Sequence, residues 1–222
     1  VEGFQHIEDS ATKGKGTILA LPHMGSWEWS GRWLIDQGFQ LTAVVERLEN
    51  TELFEWFVNL RSRYGVNVIA LTDDAGVAVG KALRDNHVVS LLCDRDIPKD
   101  GKRTGVEVQF FGETTTVPAG PAFFALRTGA SLLPMPAFFA LRTGAQLLPM
   151  ATFFTPGANG HKSVIRPALV VERQGSLRED VSRISQLLMF EIENLIRQAP
   201  EQWHLFQPNW PSDPGYEEAT VA

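Results

Sequence analysis

Cysteine is nearly absent. Cys93 is the only one in 222 residues, so no internal disulfide can form, and a reducing compartment is the simplest reading. At the end of VVSLLC it reads as a small buried apolar residue rather than a nucleophile. No apolar run approaches the ~20 residues needed to span a bilayer, and no secretory leader is visible. Positive charge is not in excess. The formal net charge of −6 argues against a generally basic nucleic-acid surface, although it leaves room for a local basic pocket that meets a phosphorylated ligand. His6, His87, His161 and His204 show no metal-ligand spacing. There is no G-x-S-x-G elbow, Walker loop or Rossmann fingerprint. Neither a bound metal nor a resident cofactor is expected.

What is present suits one α/β domain. The length can bury a substantial core, and 44% apolar with 21% charged residues is ordinary for a globular chain. Short β-rich runs alternate with helical patterns, the signature of a sheet flanked by helices. TILAL (17–21), LTAVV (41–45), NVIAL (67–71) and VVSLLC (88–93) are predicted as buried strands. Helices are predicted at about 26–37, 50–64 and 75–86, and in the second Leu53, Phe54, Phe57, Leu60 and Tyr64 recur at the spacing of one face. VEVQFF (106–111) looks like a further strand, TTTVPAG marks a turn into a helix near 119–129, and SVIRPALVVE (163–172) reads as a late strand or hairpin arm. In SLREDVSRISQLLMFEIENLIRQAP, Ser176 with Glu179 three residues later forms a capping-box pattern, and Pro200 stands just past the end. The predicted architecture is a central, mostly parallel twisted sheet with helices on its faces.

One feature breaks the pattern. PAFFALRTGASLLPM (121–135) recurs at once as PAFFALRTGAQLLPM (136–150), with only Ser131 and Gln146 differing. A period of 15 residues is too short for the common helical solenoids. It reads as a tandem duplication of one helix–strand element. Two copies do not fit one slot in a sheet, so one should take the core position while the other loops out, extends the helix or pairs elsewhere.

The densest chemical cluster is LPHMGSWEWSG, at the carboxyl end of the first predicted strand, where open α/β sheets form ligand crevices. Glu28 follows His23 by five positions. On one straight helix such residues point roughly 140° apart. They can meet only if His23 sits in the loop and bends back over the first helical turn. Gly25 lets the backbone turn and Ser26 could cap the helix. Imidazole titrates near neutral pH, and a carboxylate on its other nitrogen fixes the tautomer and stabilises the imidazolium. A structural histidine near a helix start, with Glu28 favoured there by the helix dipole, fits the same residues.

HMGSWE resembles the H-x4-D/E motif of the glycerolipid and lipid A acyltransferases. Within that group the chain is most similar to the bacterial phosphatidylinositol mannoside acyltransferases. The likeness covers nearly the whole chain: LALPHMGSWEWSG, VVERL, WFVNLRSRYG, LLCDRD, GVEVQFFGE, TVPAGPA, ALRTGA and PEQWHLFQPNWPSD, in that order. It implies an acyl-CoA donor used as co-substrate, a glycolipid acceptor, direct transfer without a covalent acyl-enzyme, and a peripheral protein at the cytoplasmic face of the plasma membrane. Family members carry a substantial helical portion before the histidine motif, whereas 22 residues precede His23 here. An N-terminal portion is therefore expected to be missing from the single domain.

The resemblance also gives other positions roles. Glu46 in VVERL and Arg61 in WFVNLRSRYG would line the cleft, with Arg61 holding a phosphate or carboxylate and Glu46 pairing with it or accepting a sugar hydroxyl. A surface ion pair serves equally well for both. Glu107 in GVEVQFFGE resembles the family's acidic residue near the catalytic histidine; as a strand residue it would share a face with Gln109, toward a cleft or toward solvent. Asp94, Arg95 and Asp96 end another strand on the ligand side. Arg95 would contact CoA phosphates, or the three would simply form a turn with an ion pair. Lys99, Lys102 and Arg103 make a small basic loop, for CoA or headgroups or merely solvated. Trp27, Trp29, Trp33 and Trp56 are read first as core packing and second as an acyl tunnel or membrane interface. The expected activity is transfer of a long-chain acyl group from acyl-CoA to a sugar hydroxyl of a phosphatidylinositol mannoside, with His23 as base and Glu28 as its partner. The alternatives are a lipid A-type or other glycolipid acceptor, a thioesterase, and a protein that binds lipid or acyl-CoA without turnover.

Overall fold

In the computed structural model, residues 1–72, 74–97, 103–126, 144–157 and 160–216 are described. The four apolar runs form β1 (Thr17–Leu21), β2 (Leu41–Val45), β3 (Asn67–Ala70) and β4 (Val88–Leu92), all mutually parallel. Every residue of β1 is buried. This accounts for its unbroken apolar sequence, since a strand covered on both faces has no solvent side on which to alternate. Between these strands run α2 (Trp27–Asp36), α3 (Thr51–Arg63) and α4 (Ala75–Arg84), preceded by α1 (Gln5–Thr12). The six-stranded sheet has the order β3-β2-β4-β1-β7-β8. In it β7 (Gln146–Phe154) lies parallel to β1, and β8 (His161–Ile165) closes the edge antiparallel. The mostly parallel sheet flanked by helices is the architecture the sequence predicts.

Alternation along β1 sorts the core into two layers. Ile18 and Ala20 face α4, α5 (Gly120–Leu126) and α6 (Leu177–Ile196), packing with Leu83, Leu126, Ile184 and Leu188. Leu19 and Leu21 face the opposite way, with Ile7 of α1 and Leu34 of α2. The capping box of α6 forms as read from sequence: Glu179 N–H donates to Ser176 Oγ at 3.3 Å and Ser176 N–H to Glu179 Oε2 at 2.9 Å.

Five details differ from expectation. β3, predicted as a buried strand, forms the edge of the sheet and has no fully buried residue. β5 (Val106–Phe110) stands outside the main sheet and forms a two-stranded antiparallel hairpin with β6 (Glu113–Val117), a strand not foreseen within the TTTVPAG turn. Its two-residue connection, Phe111 and Gly112, has φ of 53° and 87°, the doubly left-handed pattern that matches strand twist in tight hairpins. Helix α1 was also unforeseen. Helix α3 forms where periodicity puts it, yet none of its residues is fully buried, and Leu53 and Trp56 are 45% and 57% exposed. Trp29 is exposed as well, so of the four tryptophans assigned to core packing only Trp27 and Trp33 lie against the core.

The duplication is divided between two elements. PAFFAL of the first copy makes most of α5, and QLLPM of the second opens β7. Leu126, Leu147 and Leu148 are all buried. Residues 127–143, the end of the first copy and the start of the second, lie outside the described residues.

Candidate active site

Strand register determines which side chains meet. Leu21 of β1 sits opposite Leu92 of β4. Two residues further along each chain come His23 and Asp94, which leave neighbouring parallel strands side by side at the carboxyl edge of the sheet. His23 Nδ1 lies 2.6 Å from Asp94 Oδ1, and its backbone N–H donates to Asp94 Oδ2 at 2.9 Å. Asp94 is fully buried, whereas the His23 side chain keeps 26% of its surface exposed. The remaining ring nitrogen, Nε2, makes no hydrogen bond among the described residues.

The loop carrying His23 is tightly held. Gly25 has φ +57°, and a Cβ there would stand 2.0 Å from the Thr152 carbonyl oxygen of β7. Only glycine combines that conformation with that approach. Ser26 occupies the N-cap position of α2 but makes no side-chain capping bond, contrary to expectation. The C-terminal segment closes over the loop: His204 N–H donates to the His23 carbonyl at 2.7 Å and Gly25 N–H to that of Gln202 at 3.3 Å. From the same segment Trp203 Nε1–H donates to Asp94 Oδ2 at 2.7 Å, and Asn209 Nδ2 to the Asp94 carbonyl at 3.3 Å.

Burial alone would raise the pKa of Asp94. The bond and charge of His23, the indole of Trp203 and the His23 amide outweigh that effect, and the carboxyl is held below its ordinary value. An ionised carboxylate can only accept, so the hydrogen between the two side chains belongs to Nδ1. In the neutral imidazole Nε2 is then the nitrogen without a hydrogen, and the Asp94 carboxylate lies against the other one. Cys93, wholly buried beside this carboxylate, has its thiol pKa pushed up by desolvation and by the Asp94 charge, as suits a packing residue.

The expected contact between His23 and Glu28 is not made. Glu28 lies in the first turn of α2 and accepts instead from Arg61 of α3 at 3.1 Å, while the Arg61 guanidinium rests over the Trp27 ring at 5.1 Å. Glu46 pairs not with Arg61 but with Arg95, at 3.0 Å. Two separate ion pairs, Glu28–Arg61 and Glu46–Arg95, thus form. Glu107 is exposed on the hairpin, opposite Thr116, and makes no ion pair among the described residues. The Asp–Arg–Asp turn splits three ways. Asp94 goes to His23, Arg95 to Glu46, and Asp96 accepts from Gly105 N–H at 2.9 Å. Arg103 packs structurally over Tyr216 at 4.4 Å, and Lys99 and Lys102 lie outside the described residues. Among the described residues, no three of His, Cys, Asp and Glu converge as metal ligands would.

Sequence reasoning underrated Asp94 and missed the part played by Trp203. The available signal for Asp94 was its position at a strand end, since acidic residues there line the crevice of an open sheet. For Trp203 no local signal exists, because its partner is 109 positions away.

Residues 1–212 match the sequence profile of the family described as bacterial lipid A biosynthesis acyltransferase. The phosphatidylinositol mannoside acyltransferase of Mycobacterium tuberculosis is 35% identical over 216 residues, 96% of this chain and 60% of that protein. Its counterpart in Mycolicibacterium smegmatis is 33% identical over 213 residues, 95% of this chain and 62% of that one. A lipid A biosynthesis acyltransferase of Haemophilus influenzae is 26% identical over 202 residues, covering 90% and 55%. The chain therefore spans about 60% of the length of the curated mannoside relatives it matches. On its matched length and its identity to these proteins, the chain belongs to the bacterial lipid A biosynthesis acyltransferase family.

Proposed function

We propose that the protein transfers a long-chain acyl group from acyl-CoA to a sugar hydroxyl of a phosphatidylinositol mannoside, with His23 as general base. The observation that carries this reading is the pairing of His23 Nδ1 with buried Asp94, which leaves Nε2 basic at the carboxyl edge of the sheet. Nε2 takes the proton of the acceptor hydroxyl as its oxygen attacks the thioester carbonyl. The tetrahedral oxyanion collapses, the C–S bond breaks, and the imidazolium returns the proton to the leaving thiolate. General-base assistance of this kind is worth ~10²–10⁴-fold. The N–H of Gly25 is already committed to Gln202, so the free first-turn amides of α2 are the better candidates for the oxyanion. Arg95 and Arg61 each spend one donor on a carboxylate and keep others for a phosphate of the donor or the acceptor. Glu46 would help hold Arg95 in place, and Glu107, exposed on the hairpin, would meet substrate only from the solvent side.

With long-chain acyl-CoA and a mannosylated inositol lipid, His23→Ala is expected to lose ~10²-fold or more in kcat. Asp94→Asn should lose more than Glu28→Gln, which breaks only the contact to Arg61. Full activity in His23→Ala would sink the mechanism.

The Haemophilus relative supports a second acceptor class, lipid A precursors. Competition between the two acceptors separates the readings. Saturable acyl-CoA binding with no CoA release on adding acceptor would instead mark a binding protein, and release without acceptor a thioesterase. Both substrates are amphiphiles, which favours a peripheral station at the cytoplasmic face of the plasma membrane; among the described residues, no helix is long and apolar enough to cross one.

A further inference from the structure

The Asp94 carboxylate has two oxygens with separate tasks. Oδ1 takes the ring of His23, while Oδ2 takes two N–H donors, the His23 amide at 2.9 Å and the Trp203 indole at 2.7 Å. The ring and the amide both belong to His23; the indole is the donor that ties the carboxylate to a different part of the chain. The indole is itself held on several sides. It stacks on Phe111 with centroids 5.4 Å apart at 28°, and meets Phe110 and Trp210 edge-on at 5.8 and 6.0 Å. The far side of this cluster is closed by Arg197, 4.9 Å from the Phe111 centroid. The backbone on either side of the indole also reaches the histidine. Trp203 bridges to Met24, and His204 N–H donates to the His23 carbonyl. One short segment therefore grips both partners of the dyad, the carboxylate through a side chain and the histidine through its main chain.

We propose that Trp203 is a positioning residue: its indole N–H fixes the plane of Asp94 so that Oδ1 holds His23 in the Nδ1–H tautomer, with Nε2 free as base. This rests on the reading of His23 as the base. It adds that the hairpin tip and the C-terminal segment, remote in sequence from the motif, set its alignment. An ion pair alone would tolerate a turned carboxylate; a base that must meet a hydroxyl in line does not.

The test follows the proton on His23 Nδ1. Its NMR resonance lies far downfield when held in a short bond to a carboxylate, and its loss in His23→Ala assigns it. Replacing Trp203 by 3-benzothienylalanine keeps the bicyclic shape and puts sulfur where the N–H was. The resonance is expected to move upfield and to exchange with water about tenfold faster, as loss of one hydrogen bond implies. Trp56→Phe, at an exposed tryptophan of α3 outside this aromatic cluster, should leave it in place. An unchanged resonance in the benzothienyl protein overturns the proposal, and near-ultraviolet circular dichroism shows whether the aromatic cluster is intact. In turnover with acyl-CoA and mannosylated lipid, kcat should fall on the order of 10-fold with both KM values conserved. A raised KM with kcat intact would also overturn it. If the unaltered chain shows no turnover, the acyltransferase reading suffers alone, because the resonance still decides the role of Trp203.

Discussion

At the scale of residues, the site shows how a buried charge is made tolerable. An isolated carboxylate in an apolar interior would take up a proton rather than remain ionised. Asp94 avoids this by accepting three N–H donors on its two oxygens. Because its folded pKa lies below the unfolded value of about 3.9, its contribution to stability is fully present above about pH 4 and is lost as pH falls through the folded pKa. Acid unfolding followed by circular dichroism should therefore show a steeper loss of stability below pH 4 in the unaltered protein than in Asp94→Asn. The variant should also be less stable at neutral pH. Glu28 illustrates the opposite case. Half-exposed and joined to Arg61 of α3, it makes the kind of ion pair worth ~0–1 kcal/mol.

At the scale of elements, two local features carry testable energies. The capping box of α6 ties off two orphan amides, so Ser176→Ala is expected to cost about 1 kcal/mol in urea unfolding. The β1–α2 loop depends on Gly25. An alanine there needs a left-handed backbone and a shift of Thr152 in β7, so Gly25→Ala should destabilise by ~2 kcal/mol or more and lower activity together with stability. These elements also show what was legible beforehand. Strands β1 to β4 and helices α2, α3, α4 and α6 follow from apolar runs, 3.6-residue periodicity and capping residues, all of which act within a few positions. Strand β6 was not legible, because ETTTV carries no apolar run and becomes a strand by pairing with β5. The missing burial of α3 was equally hidden. Periodicity reports an apolar face and leaves open whether anything covers it.

At the scale of the whole molecule, the duplication and the C-terminal segment are the unusual parts. The described residues draw the helix from the first copy and the strand from the second, and a single copy contains both. Deleting residues 127–141 leaves PAFFALRTGAQLLPM intact, with a connection of ordinary length between helix and strand. The deletion variant should keep the unfolding midpoint and circular dichroism spectrum of the unaltered chain. A lower midpoint would show that the second helix-forming stretch contributes to the core. PEQWHLFQPNWPSD, a mere family block when read in sequence, closes the fold from outside. Ser212 reaches Glu113 of the hairpin, Trp210 the Phe110 carbonyl, and Trp203 and Asn209 reach Asp94.

The sequence by itself determined the α/β class, the parallel strands, the family and the place of His23 at a strand end, because each rests on short-range patterns or on ordered blocks along the chain. The tertiary structure alone decided which carboxylate meets that histidine. Glu28 is near in sequence but turns toward α3 from its place on the helix. Asp94 is 71 positions away, yet the β1–β4 register sets it alongside, and an indole from the far end of the chain holds it there.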